Sequence, residues 1–547
     1  MSLSAYSELH VLIVDDFNSF RQTLSKIIRE LGFNHIDSVK SGEEALKVFK
    51  RNHYDLVFCD YNLGSGKNGQ QVLEELRESR RIRPEDVFIL LSAETSRNVV
   101  MSAYDCEPDA YLTKPISTKT IEQRLKRLLN KRKELLDIYN HLGKKDKSSS
   151  IRLLEKKLVE KSHYSMDCQK LLTQLYIETQ KFDEAETICR TTLEVRSLDW
   201  AQVGLARIQL ARGNTAKAIE WLKDTIRVKP SCMKAYDVLA QAYQVLGDDE
   251  QLQIIFQQAV EVSPMSLPRQ LSLAKVAMKN GDAGIAANAY RKVLRYGSNT
   301  PYFNIRNQIN FTKAVIRFYA QDAAKANDLV GEVTNILSKV NDRDEVMPEI
   351  KVMAKIYSGQ ILSLQKQYKN SRDLLDPILH SLEKQENISA DIEIELVNYH
   401  IFNKQLDRAN LKSQELVKKY SDNESVLEKI DCLMYEPVSK RGKKTLQKEN
   451  KKGINFYKEK NNLSAIDCFS KLEKKYPSFT TVKLNLVQAL LGHIKDVGKD
   501  QACIERCTSI LTLLKSQIKN NDTNFERCQK LQGMLSAFIV KKGENNV

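Results

Sequence analysis

Asp15 and Asp16 end the apolar run Val11-Leu12-Ile13-Val14, Asp60 ends Asp55-Leu56-Val57-Phe58-Cys59, and Lys114-Pro115 follows Ala110-Tyr111-Leu112-Thr113. Three carboxylates and one ammonium group, each at the end of a predicted strand, suit a metal ion and a phosphoryl group. Crowded carboxylates resist ionisation unless a divalent cation binds among them, and Mg²⁺ favours oxygen ligands while keeping several waters. In an open parallel sheet the carboxyl ends of the strands share one edge, where residues distant in sequence can meet. The chemistry is expected there.

Short β-rich runs alternate with amphipathic stretches up to about Asn130. Strands are predicted at Leu9 to Val14, Ile36 to Val39, Asp55 to Asp60, Val87 to Leu91 and Ala110 to Leu112. Helical patterns fall at Ser19 to Leu31, Gly42 to Arg51, Gln70 to Arg80, about Arg97 to Ala103, and Thr118 onward. This alternation implies a doubly wound parallel α/β sheet. The last helix is expected to run on through Lys126 to Tyr139, coupling the remainder of the chain mechanically to the sheet. Gly143 to Ser150 (GKKDKSSS) is the best linker candidate.

With its acidic pair, acceptor aspartate, Ser92-Ala93-Glu94, Tyr111 and Lys114-Pro115 in order, this part resembles the receiver domain of two-component response regulators, a flavodoxin-like fold. The resemblance implies that Asp60 is the phosphoacceptor, that Asp16, Asp60 and the backbone carbonyl of Asn62 hold Mg²⁺, and that Asp15 acts through a coordinated water. It implies that Lys114 contacts the phosphoryl group and that Ser92 and Tyr111 form the switch. The phosphodonor would be a sensor histidine kinase. Such a protein catalyses its own phosphotransfer and autodephosphorylation and is not a turnover enzyme. Asn62 and Glu94 flank the expected path of attacking water. One departure stands out: receivers commonly place a glycine eight positions after the acceptor, and here Gly69 is nine positions on, after a glycine-rich loop.

Beyond Asn130 no strand pattern recurs. Gly213, Gly247 and Gly281 are spaced by 34, as are Leu205, Leu239 and Leu273, and Ala206, Ala240 and Ala274. Pro230 and Pro264 keep the same step, which is the signature of the tetratricopeptide repeat. The best copy spans Met233 to Pro264, with Leu239, Ala240 and Tyr243 on its first helix and Phe256 and Ala259 on its second. Tyr176, Phe182 and Ala185 mark a neighbouring copy, and Gly453, Phe456, Ala465, Phe469 and Pro477 a distant one. The expected organisation is a receiver at 1–130, a helical linker at 131–165, repeats at 166–300, degenerate repeats at 301–445, and a last repeat with further helices at 446–547. An all-α solenoid of this type follows the α/β domain.

The chain of 547 residues carries a formal net charge of +15, unevenly placed. Through Asn130 there are 18 Lys and Arg against 19 Asp and Glu, so the basic excess belongs to the helical part. No apolar stretch approaches the roughly 18 residues needed to span a bilayer. The N-terminal residues lack a signal-peptide pattern, and a cytoplasmic location is expected. The ten cysteines read as buried free thiols, and neither they nor the eight histidines show metal-ligand spacing.

Repeat solenoids present a concave surface to peptides or proteins. On the resemblance, first-helix residues Arg207, Lys234, Gln241, Lys275 and Lys279 line a peptide groove that favours an acidic or carboxylate partner. The run Lys440-Arg441-Gly442-Lys443-Lys444, followed by Lys448, Lys451 and Lys452, is read as a charged loop. It lacks the interleaved aromatic residues of a nucleic-acid platform, so nucleic acid is the weaker alternative partner. A second alternative is a phosphate sink that docks and drains its kinase. The face containing the fourth and fifth receiver helices is a common pairing surface in the family, which allows a homodimer.

Overall fold

In the computed structural model of the chain, the described residues are 6–540, apart from 65, 95–99, 102–104, 344, 384, 386–387, 435, 477–478, 499 and 518–522. Most of the helix expected at Arg97 to Ala103, and Pro477, therefore lie outside them. Five strands, β1 (His10–Val14), β2 (His35–Val39), β3 (Leu56–Asp60), β4 (Val87–Ser92) and β5 (Ala110–Thr113), form one sheet in the order β2-β1-β3-β4-β5. Every pairing is parallel. This is the flavodoxin-like doubly wound arrangement.

The strand residues explain the layers. β3 and β4 are buried at every position, as expected for parallel strands covered on both faces, whereas edge strand β2 is largely exposed. Side chains alternate between faces. Leu12, Val57, Cys59, Phe88 and Leu90 meet Ala45 of α2 (Gly42–Val48) and Leu73 and Leu76 of α3 (Gly69–Glu78). Val11, Ile13, Phe58, Ile89 and Leu91 meet Leu24 and Ile28 of α1 (Asn18–Glu30) and Ile121 and Leu125 of the helix Thr118–Gly143.

That last helix belongs to two cores. Its first half packs on the sheet through Ile121, Leu125, Leu128 and Leu129. Its second half sends Leu135 and Ile138 into a cluster with Ile151, Leu154, Cys168 and Leu172 from the next helices. A boundary at residue 130 thus falls inside a continuous rod. The expected linker is also shorter than GKKDKSSS. Asp146 caps the helix Lys147–Val159 by accepting from the Ser149 N–H, so the serines begin a helix, and only Lys144 to Asp146 separate the two rods.

All described structure beyond the sheet is helical, and the chain divides into two compact units. The first is Met1–Lys279 with Asn288–Gln308, and the second Asn280–Ala287 with Ile309–Val547. Helices in the first unit start at Asp199, Met233 and Leu267, reproducing the 34-residue step. Further along the chain the helices Ile305–Gln321, Ala323–Asp342, Pro348–Leu364 and Tyr368–Glu383 run 17, 20, 17 and 16 residues, against 14 for Met233–Leu246. The run Lys440 to Lys452 is not a loop. Ser439 accepts from the Gly442 N–H and caps the helix Lys440–Lys458, whose Gly442 fits against Asp431 where a Cβ would collide. All ten cysteines are free, and most are buried. Among the described residues no helix is long and apolar enough to cross a membrane.

Gly213, Gly247 and Gly281 all have positive φ, and each ends the first helix of a pair. The same left-handed turn is made by Gln180, Lys366, Lys404 and Lys460 elsewhere, with φ of 62°, 64°, 59° and 59°. Since the space around Gly247 is open, Gly247→Ala should destabilise through backbone conformation alone, by about 1 kcal/mol. Lys404→Gly should shift stability the opposite way. Urea midpoints at unchanged slope read both.

Candidate functional site

The carboxyl ends of β1, β3 and β5 deliver Asp15, Asp60 and Lys114 to one point. Lys114 Nζ lies 2.6 Å from Asp15 Oδ2 and 3.0 Å from Asp60 Oδ1. Ligand oxygens of Asp15, Asp16 and Asp60 all fall within 4.8 Å of one another. Asp15 and Asp60 are buried and Asp16 is exposed. Asp15 is held firmly: its Oδ1 accepts from the Phe17 N–H at 2.9 Å, its N–H donates to Val39 O, and Arg21 donates to its carbonyl at 2.6 Å. The Phe20 ring supports the ammonium of Lys114 at 4.2 Å.

Burial pushes the Asp60 carboxyl up to about 6; Lys114 opposes the shift, while Asp15 and Asp16 add to it. Its buried Oδ1 has the ammonium nearby but no well-directed hydrogen bond. An under-satisfied buried carboxylate oxygen between two further carboxylates fits a divalent cation, with solvent access from the Asp16 side.

Gly69 explains how the loop tolerates its extra residue. A Cβ there would lie 2.3 Å from the Asp60 carbonyl oxygen, so only glycine lets α3 start against the end of β3. The added length is taken up earlier, where Gly64 and Gly66 have φ of 74° and 126°. Gly64 lies over the acidic pair, its Cβ position 3.5 Å from Asp16 Oδ2. Asn62, exposed, accepts from the Gly64 N–H through its side chain at 3.2 Å. Lys67 anchors the far end, donating its N–H to Glu43 and pairing with Glu75 at 2.7 Å.

Ser92, at the end of β4, is buried, and its Oγ accepts from the Glu94 N–H at 3.0 Å. Tyr111 on β5 is half-buried and donates to the Glu94 carbonyl at 3.0 Å. Both predicted switch residues thus converge on Glu94. The predicted groove residues differ in their surroundings. Lys234 pairs with Glu107 at 2.5 Å and Lys279 with Asp249 at 2.6 Å, while Gln241 and Lys275 are exposed and Arg207 is half-buried.

Two histidine-containing groups escaped the sequence reading. His53, Asp55 and Asp86 lie together at the opposite end of the sheet. There Arg132 pairs with Asp55 at 2.5 Å, and Asp86 accepts from the Arg83 N–H at 2.7 Å, so the cluster ties the long helix to the sheet. His493, Asp500 and Cys503 form the other, and Asp500 accepts from the Ala502 and Cys503 N–H groups. Neither follows a spacing that sequence alone would flag.

The response regulator receiver domain family matches residues 11–126. The N-terminal part of the chain is a response regulator receiver domain. Chemotaxis protein CheY-3 of Vibrio cholerae is 28% identical over 123 residues, 22% of this chain and 93% of that protein. Chemotaxis protein CheY of Pseudomonas aeruginosa is 24% identical, over 22% of this chain and 98% of its own. Among solved structures, response regulator TrrA of Thermotoga maritima in complex with Mg²⁺ and BeF is 29% identical. It covers 22% of this chain and 98% of its own, with a TM-score of 0.20. These likenesses cover the receiver alone.

The raised Asp60 pKa fixes the sign of a pH effect. Folded Asp60 takes up its proton near pH 6 and the unfolded residue near 3.8, so this proton contributes stability at low pH that is lost as pH rises through about 6. In metal-free buffer Asp60→Asn, which carries no charge, should be more stable than wild type above about pH 6. The gain is on the order of 1 to 2 kcal/mol, with solvent screening allowed for. It should shrink towards pH 4, as thermal unfolding across that range would show.

Proposed function

We propose that the protein is a phosphorelay response regulator in which a histidine kinase phosphorylates Asp60 and the helical region signals by binding another protein. The observation that carries this is the buried Asp60 carboxylate, in contact with Lys114 and grouped with Asp15 and Asp16 at one strand edge. Asp15, Asp16, Asp60 and the backbone carbonyl of Asn62 would hold Mg²⁺, which supplies positive charge to offset that of the phosphoryl group.

The residues divide the work. A carboxylate oxygen of Asp60 attacks the phosphorus of a phosphohistidine in line, a P–O bond forms, the P–N bond breaks, and the imidazole leaves. The product is an acyl phosphate. Lys114, already 3.0 Å from Asp60, is placed to contact a phosphoryl oxygen. The Ser92 hydroxyl, which accepts from the Glu94 N–H, would donate to another by moving toward it, and Tyr111 is bound to the same residue, so the two side chains form one switchable unit. The chain is a phosphoacceptor in this account, with no turnover reaction of its own.

The 34-residue step of helix starts supports a tetratricopeptide-type region that binds protein. Incubation with a small-molecule phosphodonor and Mg²⁺ should add one phosphoryl group to the wild type by intact mass. Asp60→Asn should take none while keeping its circular dichroism, and chelation should suppress labelling. Equal labelling of wild type and Asp60→Asn would remove the phosphoacceptor reading.

A further inference from the structure

Within the first compact unit the receiver is seated on the helical region by a compact charged joint. Asp105, half-buried, pairs with the Arg269 guanidinium and accepts from Ser263 Oγ at 2.8 Å. Arg269 also grips Asp237 through two hydrogen bonds of 2.8 Å each. Two residues on from Asp105, Glu107 pairs with Lys234 at 2.5 Å.

The burial is graded. Arg269 and Asp105 keep only 11% and 9% side-chain exposure, whereas Lys234 and Glu107 keep 45% and 54%. A desolvated arginine anchor with an exposed charged rim is the anatomy of a binding hot spot. Lys234, Asp237 and Gln241 share one face of the helix Met233–Leu246, the face expected to receive a ligand. Without the receiver that face would hold two cations against one carboxylate, and a mostly buried guanidinium would lose half of its charge compensation. Burial pushes the Glu107 carboxyl up, but Lys234 and Lys170 of the helical region, with Arg77 of the receiver itself, outweigh it and keep the group below its ordinary value.

We propose that the receiver segment Asp105-Cys106-Glu107 is a built-in occupant of this cationic face, and that an external acidic segment with carboxylates two residues apart competes with it. This rests on the reading of the helical region as a protein-binding module, and names both the partner's chemistry and the element that masks its site. The two carboxylates of such a segment would take the places of Asp105 on Arg269 and Ser263 and of Glu107 on Lys234.

The test uses the full chain and a fluorescent peptide of Asp-Ala-Glu repeats, read by anisotropy, with an Asn-Ala-Gln peptide as control. Reversing the receiver's charges with Asp105→Lys and Glu107→Lys should expose the face and tighten binding of the acidic peptide at least tenfold over wild type. Adding Lys234→Ala and Arg269→Ala to that variant should abolish the gain. Should the lysine variant misfold by circular dichroism, Asp105→Asn with Glu107→Gln is the milder opening. Binding no tighter in the folded opened variant, or a gain that survives loss of Lys234 and Arg269, overturns the proposal. Labelling of Asp60 by a phosphodonor is scored separately in every variant, so a failure of the phosphoacceptor reading is distinguishable from a failure of this one.

Discussion

Two buried carboxylates and a third close beside them must share one strand edge, and the ammonium of Lys114 is the charge that makes this tolerable. Isolated carboxylates lose more by leaving water than a protein recovers by packing, so such a cluster persists only with cationic compensation. One lysine against three acids leaves the compensation incomplete: burial, with Asp15 and Asp16 adding to it, raises the Asp60 pKa in spite of that lysine. In the proposed function this deficit has a use, because a divalent cation and a phosphoryl group would meet where the protein holds unbalanced charge. The sheet order, the buried β3 and β4, and the close start of α3 serve to hold these few groups at fixed separation.

The site was legible in the sequence because each of its members is tied to a strand end, and strand ends are marked by the change from apolar runs to polar residues. Asp15, Asp60, Ser92 and Lys114 could each be placed with no knowledge of contacts. Strand limits shifted by one residue, as for β4, which includes Ser92. What sequence could not give was the arrangement of Ser92 and Tyr111. That Ser92 and Tyr111 both bind Glu94 depends on hydrogen-bond geometry across a loop, and no periodicity encodes it.

The helical region was legible only where its turns use glycine. A left-handed residue closes the first helix of several pairs, and glycine adopts that conformation without a Cβ penalty, so three glycines at equal spacing announced three turns. Where lysine or glutamine takes the same conformation, the penalty is met by the surrounding packing and the signature vanishes although the turn remains. Burial is also less apolar in the middle. The helix Ala390–Phe402 buries Glu393 and Glu395, which are matched by Lys419 at 3.0 Å and Lys313 at 2.7 Å. These carboxylates can lie inside because their partners come from other helices. The cationic run from Lys440 was misread for a related reason: lysine is an adequate helix former, and a serine cap with one tightly packed glycine was enough to decide the structure.

Long-range charge pairing is therefore the level at which sequence reasoning runs out, and it is also where the two halves of the first unit meet. Tyr61 comes directly after Asp60, and its hydroxyl reaches Met265 Sδ at 3.6 Å, while Gln71 at the start of α3 donates to the Tyr296 carbonyl at 2.6 Å. Lys67, in the loop between them, donates to the Asn299 carbonyl. The lengthened loop after Asp60 thus bridges the acidic site and the helices. A loop of ordinary length would leave less chain to span that gap. The extra residue reads as a cost to rigidity while the receiver is considered alone. With the helices present it becomes the means by which the backbone at Asp60 is joined, through a few directed contacts, to the surface that carries Arg269.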